Sequence, residues 1–486
     1  MNRWWLAAVT SVGMFLALGP PDAAAEKKQA DKKAALTEPA VFAMKEVPAF
    51  GKEEAEGSTR YRYPSGAFSV CSPAPSNEVK AYPKLKSKRP LYGSLTLDGS
   101  PVGAKPGKTL YFVLDQSGEA ASVAAEEKTE KAAGKKTASE GTLKYDRLYF
   151  DCNGDLDLTN DGFVKLADKP PYEDLPPGTA SDGFFDDVKV MIDFGPELGT
   201  RPVVLVPHGS TFAADGVLMQ FLPKTARQGK IRLGGKQYVA RLSQSRMLSG
   251  RYDRPFVQLE LSSVEGSKTA PFRPGPLGQM RWIDGQFVTL SASPLGDKLT
   301  VEPYRGETGI LEIGAGGRAI TDLGITGQLV SRTGVMVALA EGPLTGEAMA
   351  RRCPLPVGDY TLPAFTAKHG RLRFSGRMAA NSGGSSAVTP LPSYPIQIRK
   401  DKPFVMEFSG KPEVKFMTPP KDQAFKPGDN VRIAAMLTEP WQGIQITGLW
   451  DTTSKEGGPA MARLDPTIAI RNAAGEVVTE GKMPFG

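Results

Sequence analysis

Histidine is almost missing from this chain. The 2 present, His208 and His369, lie in no metal-ligand pattern. A histidine-built zinc site, or a Ser-His-Asp or Cys-His mechanism, would have to draw on one of this pair. Cysteine is equally scarce. The 3 thiols, Cys71, Cys152 and Cys353, permit at most one internal disulfide and make no zinc spacing, which excludes a disulfide scaffold. Nucleophile elbows of the G-x-S-x-G type, H-E-x-x-H, C-x-x-C and the phosphate-binding glycine loop are absent as well. The glycine run at 314–319 is followed by no helical period, so it reads as a turn and not as a dinucleotide loop. No apolar run after residue 18 is long enough to span a bilayer. Charge is not strongly one-sided either. A net +7 over 486 residues describes a solvated surface, with anionic cell-envelope polymers or glycans as the partners it would favour. Acidic residues are interleaved with the lysines of residues 26–56, which argues against a basic nucleic-acid arm there.

What is present begins at the N-terminus. Arg3, an apolar run from Trp4 to Leu18, Gly19-Pro20-Pro21 and Ala23-Ala24-Ala25 follow in that order. This is the layout of a secretory signal peptide cleaved after Ala25, and it predicts export to the periplasm or beyond with no transmembrane segment left after cleavage. Residues 26–60, rich in Lys, Ala and Glu, read as a flexible tether. Beyond them the 53 glycines and 41 prolines punctuate short apolar stretches, which suits many turns between strands. Val188, Val190 and Ile192 alternate with Lys189, Met191 and Asp193. Tyr238, Ala240 and Leu242 alternate with Val239, Arg241 and Ser243. That period of two predicts antiparallel strands with one buried and one wet face. The expected fold is all-β and mainly antiparallel, with several sandwich-like or barrel-like units and short helices at most. The units expected are 61–265, 266–350, 351–418 and 419–486. A low-complexity insertion at 119–141 would separate two strands of one hairpin, 110–114 and 145–150.

The most specific chemistry is at the exit of that hairpin. Residues 151–162 read Asp-Cys-Asn-Gly-Asp-Leu-Asp-Leu-Thr-Asn-Asp-Gly, directly after the apolar Leu148-Tyr149-Phe150. Oxygen-bearing side chains at every second position, on a sharply turned backbone, suit a hard cation. Asp151, Asn153 and Asp155 take positions 1, 3 and 5, Asp157 takes position 7, and the apolar Leu158 at position 8 points to the core. Over this dozen residues the sequence resembles the calcium loops of EF-hand and dockerin-type modules. The resemblance implies a Ca²⁺ site held by Asp151, Asn153, Asp155, Asp157 and Asp161. Two positions depart from it. Leu156 replaces the glycine of position 6, and Asp161 stands one place short of the bidentate acid of position 12. Affinity would then fall at the weak end, on the order of 10⁻⁴–10⁻³ M. The same residues also suit a plain hairpin tip built from Asx-turns.

Toward the C-terminus, Pro354-Leu355-Pro356-Val357-Gly358-Asp359-Tyr360 resembles the strand start of prealbumin-like modules. The segment after Pro419-Pro420 resembles an immunoglobulin-like or fibronectin-like sandwich, complete in itself or sharing a sheet with the preceding segment. Val431, Ile433, Ile444, Ile446, Ile468 and Ile470 would supply its inward faces. Trp441 and Trp450 suit either packing or a carbohydrate platform. The missing motifs point away from catalysis, toward a binding or structural role in the cell envelope. A carbohydrate-active or glycan-binding protein is the alternative, since glycoside hydrolysis needs only two carboxylates. Asp182, Asp186 and Asp187 are the candidates for such a pair, or for completing the cation site.

Overall fold

The computed structural model describes residues 36–483, apart from 56–57, 63, 98–106, 118–144, 171–182, 213–215, 234–235, 265–271, 284–285, 315–323, 332–334, 340–349, 370, 379–395, 408–412, 420–422, 427–428, 440–443, 453–461 and 473. The insertion at 119–141, Asp182 and Trp441 therefore lie outside the described residues. Within them there is no α-helix, and almost every strand pairing is antiparallel. Two pairings are parallel: Gln279–Ile283 with Met336–Ala338, and Thr308–Gly314 with Phe404–Glu407.

The hairpin that carries the acidic loop is the centre of the N-terminal half. Strand Thr109–Asp115 pairs with Arg147–Phe150 in the register Phe112↔Phe150, Val113↔Tyr149, Leu114↔Leu148. Leu91–Thr96 and Phe163–Lys165 complete a four-stranded sheet. A second four-stranded sheet, of Val188–Asp193, Thr200–Phe212, Gly216–Pro223 and Ala67–Val70, faces it. The layer between them is apolar: Leu110, Phe112, Leu114, Leu148 and Phe150 meet Val188, Val190, Met219 and Phe221. Phe221 lies 5.3 Å from the Phe112 ring and 5.1 Å from Phe150. Because side chains alternate along a strand, Tyr111 and Val113 face the other way. There they pack with Val79, Tyr149 and Leu158 in a smaller core. Strand 109–115 is thus buried on both faces, and Leu158 is fully buried.

Alternation holds at Val188–Asp193, where Val188, Val190 and Ile192 are buried and Lys189 and Asp193 exposed. It is broken at Lys236–Ser243. Arg241, expected on a wet face, is buried at 8% exposure. Its guanidinium donates to the Pro48 and Ala49 carbonyls and to Gln228. The partner segment comes from a region expected to be tether. Ala40–Ala43 pairs with Lys298–Pro303, and Lys45–Pro48 with Thr225–Leu233. The cause is apolar: Met44, Ala49 and Phe50 are buried in the cores formed by those sheets. Within the expected flexible tether, Ala40–Ala43, Lys45–Pro48 and Gly51–Ala55 are therefore strands.

Strands also pair across the expected unit boundaries. Gln258–Ser263 pairs with Phe272–Pro276, Gly324–Ser331 with Phe365–His369, and Leu372–Met378 with Ile444–Asp451. The last pairing joins the C-terminal segment to the sheet before it. Ile396, Ile398, Tyr360, Leu362, Met406 and Ile444 form the core of this half. Val431 and Ile470, expected to face inward, are instead 42% and 39% exposed. Among the described residues the hairpin Thr467–Arg471/Val477–Lys482 pairs only with itself, so it has no sheet neighbour to bury Ile470.

Phe221→Ala, which empties the space between the two layers under the loop, is expected to cost about 3–5 kcal/mol in chemical denaturation. Val414→Ala, at a site 57% exposed, is expected to change stability by less than about 0.5 kcal/mol.

Candidate metal centre

The loop is pinned on both sides before its acids are considered. The Asp151 N–H donates to the Tyr111 carbonyl, Met191 N–H to the Cys152 carbonyl, Lys80 N–H to Leu156 and Leu158 N–H to Ala81. Two lysines from distant segments hold the backbone from outside. Lys108 Nζ donates to the Asn153 carbonyl and Lys80 Nζ to that of Asp155, each at 2.8 Å. Neither contact was legible in the loop's own sequence.

Within the loop, backbone donors organise the acids. Asp151 is fully buried. Its Oδ1 accepts from Gly154 N–H at 2.7 Å and Asp155 N–H at 3.2 Å, and its Oδ2 from Leu156 N–H at 3.3 Å. Three Asx-turns follow in series: Asn153 Oδ1 accepts from Asp155 N–H, Asp155 Oδ1 from Asp157 N–H, and Asp157 Oδ1 from Thr159 N–H. The turn chemistry of a hairpin tip is therefore present. Gly154 and Leu156 take φ of 75° and 70°. A left-handed leucine costs about 1–2 kcal/mol. It stands at the loop position where a calcium loop turns sharply on glycine. Packing of Leu156 against the Val79–Tyr111–Leu158 core offsets that cost.

The turns do not account for every oxygen. Asp151, Asp155 and Asp161 each direct a carboxylate oxygen into one group whose atoms lie within 4.8 Å of one another. Oxygens on opposite sides of a calcium ion stand roughly 4.6–5.2 Å apart, from its 2.3–2.6 Å bonds. The group can therefore hold a metal ion, and its all-oxygen donors suit a hard one. Asp161 Oδ1 accepts from Cys152 N–H at 3.3 Å, while its Oδ2 is shut away from water with no hydrogen-bond partner. Elsewhere the fold treats a buried acid differently. Asp115, fully buried, has both oxygens satisfied by the Lys86 and Ser87 N–H groups.

Electrostatics separates the three acids. Burial, then the neighbouring Asp151, push Asp161 up from an ordinary 3.8 to about 6, with Asp155 and Asp157 adding to the rise. Asp155 is held below the usual range by the Asn160 side-chain amide, the Asp157 N–H, Asn153 and Lys80. Burial raises the Cys152 thiol to about 11, with Asp161 and Asp151 adding to it, so it stays neutral beside the oxygen donors. Asp157 and Asn153 lie in the loop with their side chains engaged in the turns. Asp157 is not one of the three grouped carboxylates. Asp186 and Asp187 do not join them either. Asp186 is exposed just ahead of strand Val188–Asp193 and Asp187 is paired with Lys224. His208 is buried and stacked on Phe184 at 4.2 Å. All three cysteines are free.

Class and site together define a multi-sheet, mainly antiparallel β-protein with a loop at the exit of a buried strand whose three grouped carboxylates could hold a metal ion. Comparison with protein-family models, with curated proteins and with solved structures finds no match.

Because folding raises the Asp161 pKa, the fold favours its protonated form. That contribution is complete below about pH 4 and lost as pH rises through about 6. In chelator, Asp161→Asn is expected to unfold at a higher temperature than the parent at pH 7.5. The gap should close as pH falls to 4, followed by thermal melts across that range.

Proposed function

We propose that this is a non-catalytic exported protein of the cell envelope whose first β-region is braced by one weakly bound calcium ion. The observation that carries the reading is the grouping of Asp151, Asp155 and Asp161 carboxylate oxygens within 4.8 Å of one another, together with an Asp161 oxygen shut away from water with no hydrogen-bond partner. A divalent ion there replaces like-charge repulsion with attraction and satisfies that oxygen. Calcium is favoured over magnesium because it accepts irregular oxygen sets at longer bonds, whereas magnesium requires near-ideal octahedra and keeps its waters.

The brace would act on more than the loop tip. Through Tyr111, Ala81 and Met191 the loop backbone is bonded to three neighbouring segments, and Leu158 plugs the smaller core. Ion binding would tie these together at a strand buried on both faces. A dissociation constant in the 10⁻⁴–10⁻³ M range matches a permanently calcium-containing exterior rather than a signalling compartment. The signal-peptide layout of residues 3–25 supports the same location. A binding or scaffolding role follows from this reading.

With 10 mM calcium and that affinity, the folded state should gain about 1.4–2.7 kcal/mol, seen as a rise in unfolding temperature over a chelator control. Asp155→Ala should abolish the rise, and Asp186→Ala, outside the group, should keep it. An unchanged melting temperature for the parent protein in calcium would overturn the assignment.

A further inference from the structure

A cavity of about 460 Å³ is lined from two sheets, one containing Lys45–Pro48 and Thr225–Leu233, the other Thr200–Phe212 and Gly216–Pro223. It shares no residue with the acidic loop. Small-molecule sites are usually cavities of roughly 300–1,000 Å³, mostly apolar with a few placed polar groups. Here Glu46, Thr225 and Arg227 come from the first sheet, while Phe194, Val203, Pro223 and Leu295 supply apolar lining. Arg201 and Gln244 also line it. Arg201 Nε donates to the Leu198 carbonyl, and Gln244 is engaged by the Arg251 carbonyl and the Ser249 N–H.

The polar wall follows from strand register. Arg227 and Glu46 are direct cross-strand partners, and Thr225 lies two residues before Arg227, on the same face of its strand. Arg227 Nη2 meets Glu46 Oε2 at 3.0 Å. The guanidinium carbon lies over the Tyr252 ring, 5.8 Å from its centre, and the Tyr252 hydroxyl donates to the Thr225 carbonyl. Gly296 passes so close that a Cβ there would stand 2.6 Å from the Tyr252 ring and 2.8 Å from Arg227 Cγ. These neighbours fix where the arginine stands. Glu46 does not use all of its donors. Arg227 Nε is shut away from water with no hydrogen-bond partner, and Nη1 has none among the described residues. Glu46 Oε1 is likewise unengaged among them, on a side chain 56% exposed. A cation and an anion thus border the cavity side by side, each with bonding capacity left.

We propose that this cavity binds a free α-amino acid with a large apolar side chain. The ligand carboxylate meets Arg227, its ammonium meets Glu46, and its side chain lies against the lining of Phe194, Val203 and Leu295. The complement of a fixed ion pair is a second ion pair laid antiparallel to it. An α-amino acid carries one ready-made, because only two bonds separate its ammonium nitrogen from its carboxylate carbon. Arginine is the side chain best shaped for a carboxylate. A neutral sugar could reach the same two groups through hydroxyls. The zwitterion is favoured because both of its bonds are assisted by charge on each side, and charge-assisted bonds are roughly twice as strong as neutral ones. The proposal stands independently of calcium.

The test is titration calorimetry of the full chain with leucine, phenylalanine, glycine, N-acetyl-leucine, leucinamide and glucose. Chelator is kept throughout, so that no ligand carboxylate is captured by metal at the acidic loop. Leucine, phenylalanine or both should bind, and glycine about tenfold more weakly or worse, for want of an apolar side chain. N-acetyl-leucine lacks the ammonium and leucinamide the carboxylate. Each should bind about tenfold more weakly than leucine or worse, the loss expected for a hydrogen bond to a charged group. Glu46→Gln should erase the preference for leucine over N-acetyl-leucine, and Arg227→Gln the preference over leucinamide. Glu46→Gln, at an exposed side chain, should keep the parental melting temperature. If Arg227→Gln does not fold, Glu46→Gln and the ligand series decide. Absence of binding by both leucine and phenylalanine at millimolar concentration would overturn the proposal, as would parental discrimination in Glu46→Gln. So would glucose binding as tightly as leucine, which would mean recognition of hydroxyls.

Discussion

A carboxylate oxygen closed off from water beside two other carboxylates is the constraint on which the N-terminal half turns. Burying an unpaired charge is costly, and like charges nearby raise the cost. The Asp161 oxygen meets both conditions, whereas Asp115, fully buried at the end of strand Thr109–Asp115, is satisfied by backbone N–H groups. The contrast is informative because the fold has donors to offer and spends them on Asp115. At Asp161 one oxygen is left without a partner in a residue grouped with two other acids, an arrangement that a divalent cation relieves and that a purely structural turn does not require.

The surroundings explain how such a loop keeps its shape. Asp151 gathers three N–H groups, the serial Asx-turns carry the chain from Asn153 to Thr159, and Lys80 and Lys108 hold it from outside. Underneath, strand 109–115 is buried on both faces, so the loop's first residue hangs from one of the least movable parts of the molecule. Preorganisation of this kind reduces the ordering an ion would have to impose. The left-handed Leu156 fits the same account, since its apolar side chain joins the core under the loop.

The C-terminal half is built on a different balance. Its core is dense around Tyr360, Ile396 and Met406, but toward the last strands apolar residues such as Phe416 and Val478 stand exposed. Arg373, Trp450 and Arg463 are cross-strand partners, aligned only because three strands pair in one register.

Strand periodicity and turn composition were enough to establish an all-β chain, to pair 110–114 with 145–150, and to place Leu158 in a core, because alternation and apolar burial are local properties. The acidic character of the loop was equally legible, and three of its five expected residues, Asp151, Asp155 and Asp161, form one group. Met44 and Phe50 were not, since a Lys- and Glu-rich stretch looks solvated until a distant sheet supplies the edge and the core that take it up. Arg241 was read as wet because its carbonyl partners lie nearly two hundred residues away in sequence. Sequence by itself therefore determined the fold class and the chemical character of the loop. Tertiary structure alone decided that Asp157, expected beside Asp151, Asp155 and Asp161, is not in their group, and that Arg373, Trp450 and Arg463 stand in line. Those outcomes depend on backbone direction and strand register, which arise only when remote segments pack.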